Sequence, residues 1–374
     1  MFLMMAEMMH LSGVALHYPD EPFWVWVGHH TSHVAWTGCS LHDLIQPSFT
    51  FLVGVALPFS IASRVAKGQR ISIMIFHALW RSLLLILLGV ALRSVGRVQT
   101  NWTFEDTLSQ IGLGYPFLFA LGFASRRWQL VSFIGILISY WLAFVMMPAP
   151  TGDFNYAAVG TPLNGLSTFP GFQSHWNMNS NLAWWFDTWF LNLFPRESLF
   201  ISNRGGYATL SFIPTLATMI LGLLAGEWLK IGGSPALQLK RLILAGVGCL
   251  ALGYTIHTLG ICPSVKKIWT PSWVLFSGGW CYLLLAGFYL ATETHKYRGW
   301  AYPLLVIGRN SIAIYCLVHL IDHFILATFY CHLGTDIFNF AGPNLEPMIS
   351  GMAVLVVFWL ILWQMDRNRI YIRI

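Results

Sequence analysis

His29, His30, His33 and His42 lie close together in the chain and flank Trp36, Gly38 and Asp43, directly before an apolar run that opens at Leu44 and carries Pro47 and Gly54. An imidazole is the side chain best suited to moving a proton near neutral pH, and a carboxylate beside it orients the ring and stabilises its cation. His33 and Asp43 are therefore a candidate base and its orienting partner. Spacing leaves two other readings open. A histidine cluster at a membrane edge also suits zinc, and an interfacial rim uses the same aromatic residue types.

A second set of reactive side chains interrupts otherwise apolar runs: Glu7, His10, Arg81, Gln110, His257, Arg309, Asn310, His319, Asp322 and His323. Such groups are costly in hydrocarbon and face a bundle interior or an aqueous cavity. His319 and His323 are four apart, with Asp322 beside them, and are expected to share one helix face. Arg81 and Arg309 fall deepest, although their long stems also suit snorkelling. Arg64, Lys67 and Arg70 on one connection, with Lys240 and Arg241 on another, offer a polyphosphorylated ligand the forked guanidinium contacts it requires. The positive-inside rule accounts for the same residues without a ligand.

These side chains need a frame, and composition defines it. Of 374 residues 56% are hydrophobic and only 10% charged, with a mean hydropathy of +0.62. Soluble domains carry about 25% charge, so a soluble globule is excluded, as are a disordered chain and a collagen-like fibre. Hydrocarbon demands that every backbone amide be paired within its own element, which makes the expected fold an all-α polytopic transmembrane bundle. At roughly 20 residues per crossing, about ten spans fit the chain. They are expected at 2–16, 44–63, 75–95, 107–125, 129–147, 208–229, 242–260, 273–291, 303–325 and 347–363. Gly222 and Gly226 supply a small-residue face for close helix packing. Cys249, Cys281 and Cys316 sit in apolar runs as small hydrophobes.

Basic residues set the orientation. Arg64, Lys67, Arg70, Arg126, Arg127, Lys230, Lys240, Arg241, Lys296, Arg298, Arg367, Arg369 and Arg373 fall on one set of alternate connections, which makes that side, and both termini, cytoplasmic. The net charge of +6 reports this placement and no nucleic-acid partner. Two long outer connections remain, 17–43 and 148–207. The second is rich in Trp, Asn, Gly and Pro, carries too much aromatic surface to be disordered, and has helical apolar spacing over 182–193; it is expected to cap an outward-facing cavity.

Longer strings are more specific. HVAWTGCSLHDLIQPSFTFLVG, from His33 to Gly54, resembles the signature that follows the first span in the heparan-alpha-glucosaminide N-acetyltransferase family and its bacterial membrane relatives, with His33, Trp36, Gly38, Asp43, Pro47, Phe49 and Gly54 on matching positions. LSQIGLGY (108–115), GGYATLSFIPTLATMILGLLAG (205–226), KKIWTPSW (266–273) and GRNSIAIY (308–315) extend the resemblance over nearly the whole chain, and WFLNLFPR (189–196) resembles the bacterial subgroup associated with amino-sugar use. The chain departs from that pattern in three places. Relatives carry a basic segment and an Asp, Arg and Gly pattern before the first span, so a start upstream of Met1 is expected; Glu7 stands where the human-type enzyme has an intramembrane Asn, and Gln110 where many relatives have Arg.

The resemblance implies one transmembrane acyltransferase domain over 1–374, in a bacterial inner membrane. It would take acetyl from cytosolic acetyl-CoA and deliver it to the amine of glucosamine or a related sugar on the periplasmic side. His33 would be the catalytic residue, as base or as acetyl carrier, and Asp43 the acid beside it. Trp36 would stack on the sugar, with Asn181, Asp187 and Asn203 bonding its hydroxyls; Arg64, Lys67, Arg70, Arg81, Gln110, Arg309 and Asn310 would serve the donor. Expected partners are acetyl-CoA as cosubstrate, the sugar and the lipid bilayer, with no metal and with a homodimer left open. An extended pantetheine reaches about half of a roughly 30 Å hydrocarbon core, so no alternating access is required. An amino-sugar or small-solute transporter is the rival from another class, and an acyltransferase acting on a cell-surface glycan or lipid is a third reading.

Overall fold

The computed structural model describes residues 1–162, 165–294 and 299–372; Lys296, Arg298 and Arg373, three of the charges used above for orientation, lie outside them. The described chain is helical, with one isolated antiparallel β-bridge, Thr37 to Val265. It opens with α1 (Phe2–Ala6), α2 (Leu11–Ala15) and α3 (Pro22–His30). The long helices follow: α4 (Ile45–Ala66), α5 (Ile71–Arg93), α6 (Thr107–Leu121) and α7 (Arg126–Met146). After the short α8 (Leu182–Phe190) come α9 (Phe212–Ile231), α10 (Pro235–Thr258) and α11 (Pro271–Tyr289). The C-terminal part holds α12 (Tyr302–Arg309), α13 (Ser311–Leu320), α14 (Asp322–Leu333) and α15 (Glu346–Arg367).

Seven helices among the described residues are long and apolar enough to cross a membrane, or eight if the bent pair α12–α13 counts as one span. The expectation of ten unbroken spans is met only in part. Residues 107–121 form an apolar helix of 15 residues. Residues 2–16 do not make a single helix: a 3-10 turn, Glu7–Met9, separates α1 from α2, and His10 takes a left-handed conformation with φ 46°. The ninth expected span bends by 68° at Asn310, and it stops at Ile321, whose φ of −131° is not helical. His319 and His323 therefore lie on different helices, against the expectation of a shared face. His319 Nδ1 pairs with the Tyr315 carbonyl at 2.8 Å, while the His323 side chain is almost fully exposed.

The described residues fall into two compact units. One contains 1–34, 39–45 and 299–372, the other 35–38 and 46–294. In the first, the backbone of the Glu7–Met9 turn is seated directly on α15. A Cβ at Gly351 would lie 1.9 Å from the Met8 carbonyl oxygen, so only glycine permits this approach. The α12–α13 bend is tied down by the C-terminal tail: Asn310 Nδ2 donates to the Ile370 carbonyl at 3.0 Å, and the Ile372 N–H donates to Asn310 Oδ1 at 3.1 Å. Arg309 grips Asp366 through both carboxylate oxygens, at 2.9 and 3.1 Å.

The second unit is wrapped around α9, in which every residue from Pro214 to Gly226 is buried. Helix α4 crosses it at backbone contact. A Cβ at Gly222 would meet the Phe51 carbonyl oxygen at 1.9 Å, one at Gly226 the Val55 oxygen at 2.3 Å, and one at Gly54 the Met219 oxygen at 1.9 Å. Apolar side chains gain nothing by leaving lipid for a lipid-like interior, so dispersion across such close approaches is what holds spans together. Substituting Gly222→Ala is expected to cost at least the 1–3 kcal/mol typical of overpacking, about, because the obstacle is backbone. Gly135→Ala, where a Cβ meets nothing within 4 Å, should hold or raise the melting temperature. Thermal unfolding of the two detergent-solubilised variants compares them directly.

Candidate active site

Helix α3 ends where Thr31 and Ser32 turn their hydroxyls back onto the Val27 and Gly28 carbonyls, at 2.8 and 2.7 Å. The next helical start lies ten residues on and is made by Ser40 and Asp43. The Asp43 N–H donates to Ser40 Oγ at 3.2 Å, and the Ser40 N–H donates to Asp43 Oδ2 at 3.0 Å. This reciprocal pair is a capping box, in which the third residue of the helix returns the bond that the cap gives it. Ser40 Oγ also lies 2.7 Å from the Ser32 carbonyl and 3.0 Å from Asp43 Oδ2, so its one proton is shared between them. The loop between the two helices needs a positive φ of 110° at Gly38, a conformation open to glycine without strain.

Asp43 is fully buried, and its other oxygen faces His33. Oδ1 sits 2.8 Å from His33 Nδ1, while the Val34 N–H reaches Oδ2 at 3.3 Å. The His33 side chain keeps 40% of its exposure. A ring that donates from Nδ1 to a carboxylate carries its lone pair on Nε2, the arrangement required of a general base. The His42 ring lies against it, with centroids 4.4 Å apart. All of these residues belong to the first unit. Among the described residues no three or more His, Cys, Asp or Glu side chains come together as a metal-ligand set.

The other candidates from the sequence fall as follows. Trp36 belongs to the second unit. Its ring is buried with Phe144, Trp176, Met178 and Val265, its indole N–H donates to the Trp176 carbonyl at 3.0 Å, and a Cβ at Gly206 would touch it at 2.5 Å. Asn181 caps α8, accepting from the Trp184 N–H at 3.1 Å and donating to the Asn177 carbonyl at 2.8 Å. Asn203 Oδ1 accepts from the Gly205 N–H at 2.8 Å. The 148–207 connection has little regular structure, so its backbone groups take side-chain partners instead, and asparagine supplies both donor and acceptor. The short helix expected within 182–193 is present as α8 and a following 3-10 turn.

On the basic side, Arg64, Lys67 and Arg70 share the turn between α4 and α5, with Lys67 and Arg70 exposed and Arg64 half-buried. Arg64 donates to Gln69 Oε1 at 3.3 Å. Further along α5, the Arg81 guanidinium stacks over the Tyr115 ring at 5.1 Å, with its Nε buried and unpartnered. Gln110 is completely buried, its amide within 3.1–3.4 Å of the Phe104, Ala208 and Thr209 carbonyls. Arg309 and Asn310 lie in the other unit, bound to Asp366 and the tail as described.

The similarity is to an N-acetyltransferase. The chain is 21% identical over 342 residues to human heparan-alpha-glucosaminide N-acetyltransferase, an alignment covering 81% of this chain and 50% of the human protein. The mouse protein of the same name matches with the same identity and coverage. The chain thus spans about half the length of the curated relatives it matches, and the relation is a distant one. No family model matches the chain. Ser40 enters the site through the structure, and the Ser-x-x-Asp spacing before an apolar run is the signal that marks it.

Asp187 lies in the long 148–207 connection. It is buried, Oδ2 accepts from the Thr209 N–H at 2.9 Å, and Oδ1 has no hydrogen-bond partner among the described residues. Burial pushes its carboxyl up to about 7 against the pull of Thr209, and burial likewise raises Glu105 nearby. Asp187 therefore stays protonated in the folded chain up to about pH 7, whereas the unfolded carboxyl ionises near its ordinary 3.8. Between those values the folded state binds more protons, so stability falls as pH rises through this window and levels off above it. Asp187→Asn, which keeps an acceptor for Thr209, is expected to flatten the fall in melting temperature between pH 4 and 7, a difference of a few kcal/mol at most. Melting curves across that range provide the check.

Proposed function

We propose that this protein is a bacterial inner-membrane N-acetyltransferase, moving acetyl from cytosolic acetyl-CoA to the amine of glucosamine or a related amino sugar on the far side of the membrane. The observation that carries the reading is the 2.8 Å contact between His33 Nδ1 and a fully buried Asp43. Distant similarity to the human and mouse N-acetyltransferases and a frame of membrane-length helices support it.

The chemistry follows from the dyad. An ammonium has no lone pair and cannot attack a thioester, so the acceptor nitrogen must first lose a proton; His33 takes it at Nε2, and Asp43 favours the resulting cation. Donor carbonyl and acceptor amine held about 3 Å apart then react as one molecule. In the covalent variant His33 carries the acetyl group between two half-reactions. Helix α4 begins two residues after Asp43 and ends in the basic turn; its 22 residues suffice to cross a bilayer's hydrocarbon. Arg64, Lys67, Arg70 and Arg81 are assigned to the donor's phosphates. Gln110, Arg309 and Asn310, whose polar atoms are engaged within the fold, contribute as framework. Trp36, Asn181, Asp187 and Asn203 shape the outer segment on the acceptor side.

Purified full-length protein in lipid nanodiscs tests this with radiolabelled acetyl-CoA and glucosamine. His33→Ala is expected to lower turnover by about 10²–10⁴-fold while leaving insertion and melting temperature intact, and Asp43→Asn to lower it less. Unchanged turnover in His33→Ala would overturn the assignment. Incubation without sugar, followed by peptide mass analysis, separates the two routes, since acetyl on His33 marks the covalent one.

A further inference from the structure

The His33 environment holds a second imidazole and a second carboxylate that the reaction above does not use. His42 sits in the 3-10 turn His42–Leu44 and is 8% exposed. Its ring contacts that of His33 with centroids 4.4 Å apart and planes at 57°, and its Nε2 lies 3.8 Å from Glu7 Oε1. Glu7 is not a drifting surface acid. It starts the 3-10 turn whose Met8 carbonyl rests on Gly351 of α15. The four groups follow in the order Asp43, His33, His42, Glu7: carboxyl, imidazole, imidazole, carboxyl.

Proton accounting gives this row a purpose. When an ammonium becomes an amide, the nitrogen sheds two protons. The new N–C bond forms as the thioester C–S bond breaks, and the departing sulfur keeps the electron pair and takes one of the two protons. The other must leave the site in every turnover. A single imidazole holds one exchangeable proton at a time, and the Asp43 oxygens are already committed to the Ser40 and Val34 N–H groups and to His33.

We propose that His42 and Glu7 form a second proton-holding pair that receives the proton from His33 and returns His33 to its neutral form. This rests on the acetyl-transfer reading above. His42 acts through His33, so it is a positioning and relay residue, with Asp43 facing one ring and Glu7 the other.

The test uses the full chain in nanodiscs, with His42→Phe, which keeps a ring against His33, and Glu7→Gln, which alters a half-exposed side chain and so spares folding. In the acetyl-transfer assay both variants should lower kcat by about tenfold, well short of the loss from His33→Ala, with KM for donor and acceptor unchanged and the acid limb of the pH profile displaced. Nitrogen-15 histidine spectra provide a readout independent of activity. In the wild-type chain the His33 and His42 signals should titrate in coupled steps; in His42→Phe the His33 signal should titrate in one step with a displaced midpoint, and in Glu7→Gln the His42 steps should move. Superimposable His33 titrations in all three proteins would overturn the pair. Wild-type protein that transfers no acetyl would sink the acetyltransferase reading instead, and the spectra would still decide whether the two rings share protons.

Discussion

One carboxylate organises the candidate site. Asp43 is buried completely, and a carboxylate removed from water without partners costs several kcal/mol, roughly, in effective terms. It therefore dictates the conformation of everything that can donate to it: the Ser40 N–H and hydroxyl, the Val34 N–H and the His33 ring. The same bonds start the first long helix. The orientation of the imidazole is thus inherited from a capping box, and the loop cannot relax around His33 without also unmaking the start of α4.

The rest of the first unit is arranged around backbone contacts of comparable rigidity. The Met8 carbonyl on Gly351 sets the height of Glu7, and the tail bonds at Asn310 hold the bend in the C-terminal helices. In the second unit, glycines on α4 and α9 allow two helices to meet at backbone distance, while asparagines in the 148–207 connection replace the missing regular hydrogen bonds. Both devices answer a single requirement: a chain in hydrocarbon, or folded over it without secondary structure, must find a partner for every amide.

Polar residues in such a chain serve as ligand contacts or as framework, and several here are engaged within the fold. Gln110 spans three carbonyls, Arg309 holds Asp366, and the Trp36 indole is locked onto Trp176. His33 differs in being half-open while its partner is sealed. That contrast, an open imidazole backed by a sealed carboxylate, is the geometry from which a proton-transfer role is proposed.

Several of these features were legible in the sequence. Hydropathy marked the long helices to within about seven residues at their ends, the largest difference lying at the start of α10, because the apolar thickness they must cross is a property of lipid, not of their neighbours. The His33 to Asp43 pairing and the Ser-x-x-Asp box were readable because both act over short stretches of chain, and Gly222 with Gly226 announced a close crossing. The break at His10 and the bend at Asn310 were not readable, since each is held by contacts with residues far along the chain: Gly351 for the first, the 370–372 tail for the second; the separation of His319 from His323 lies at the non-helical backbone of Ile321. The employment of Gln110, Trp36 and Arg309 was hidden for the same reason. Local pattern determines which residues are costly to bury, and only the tertiary structure decides which distant group satisfies them.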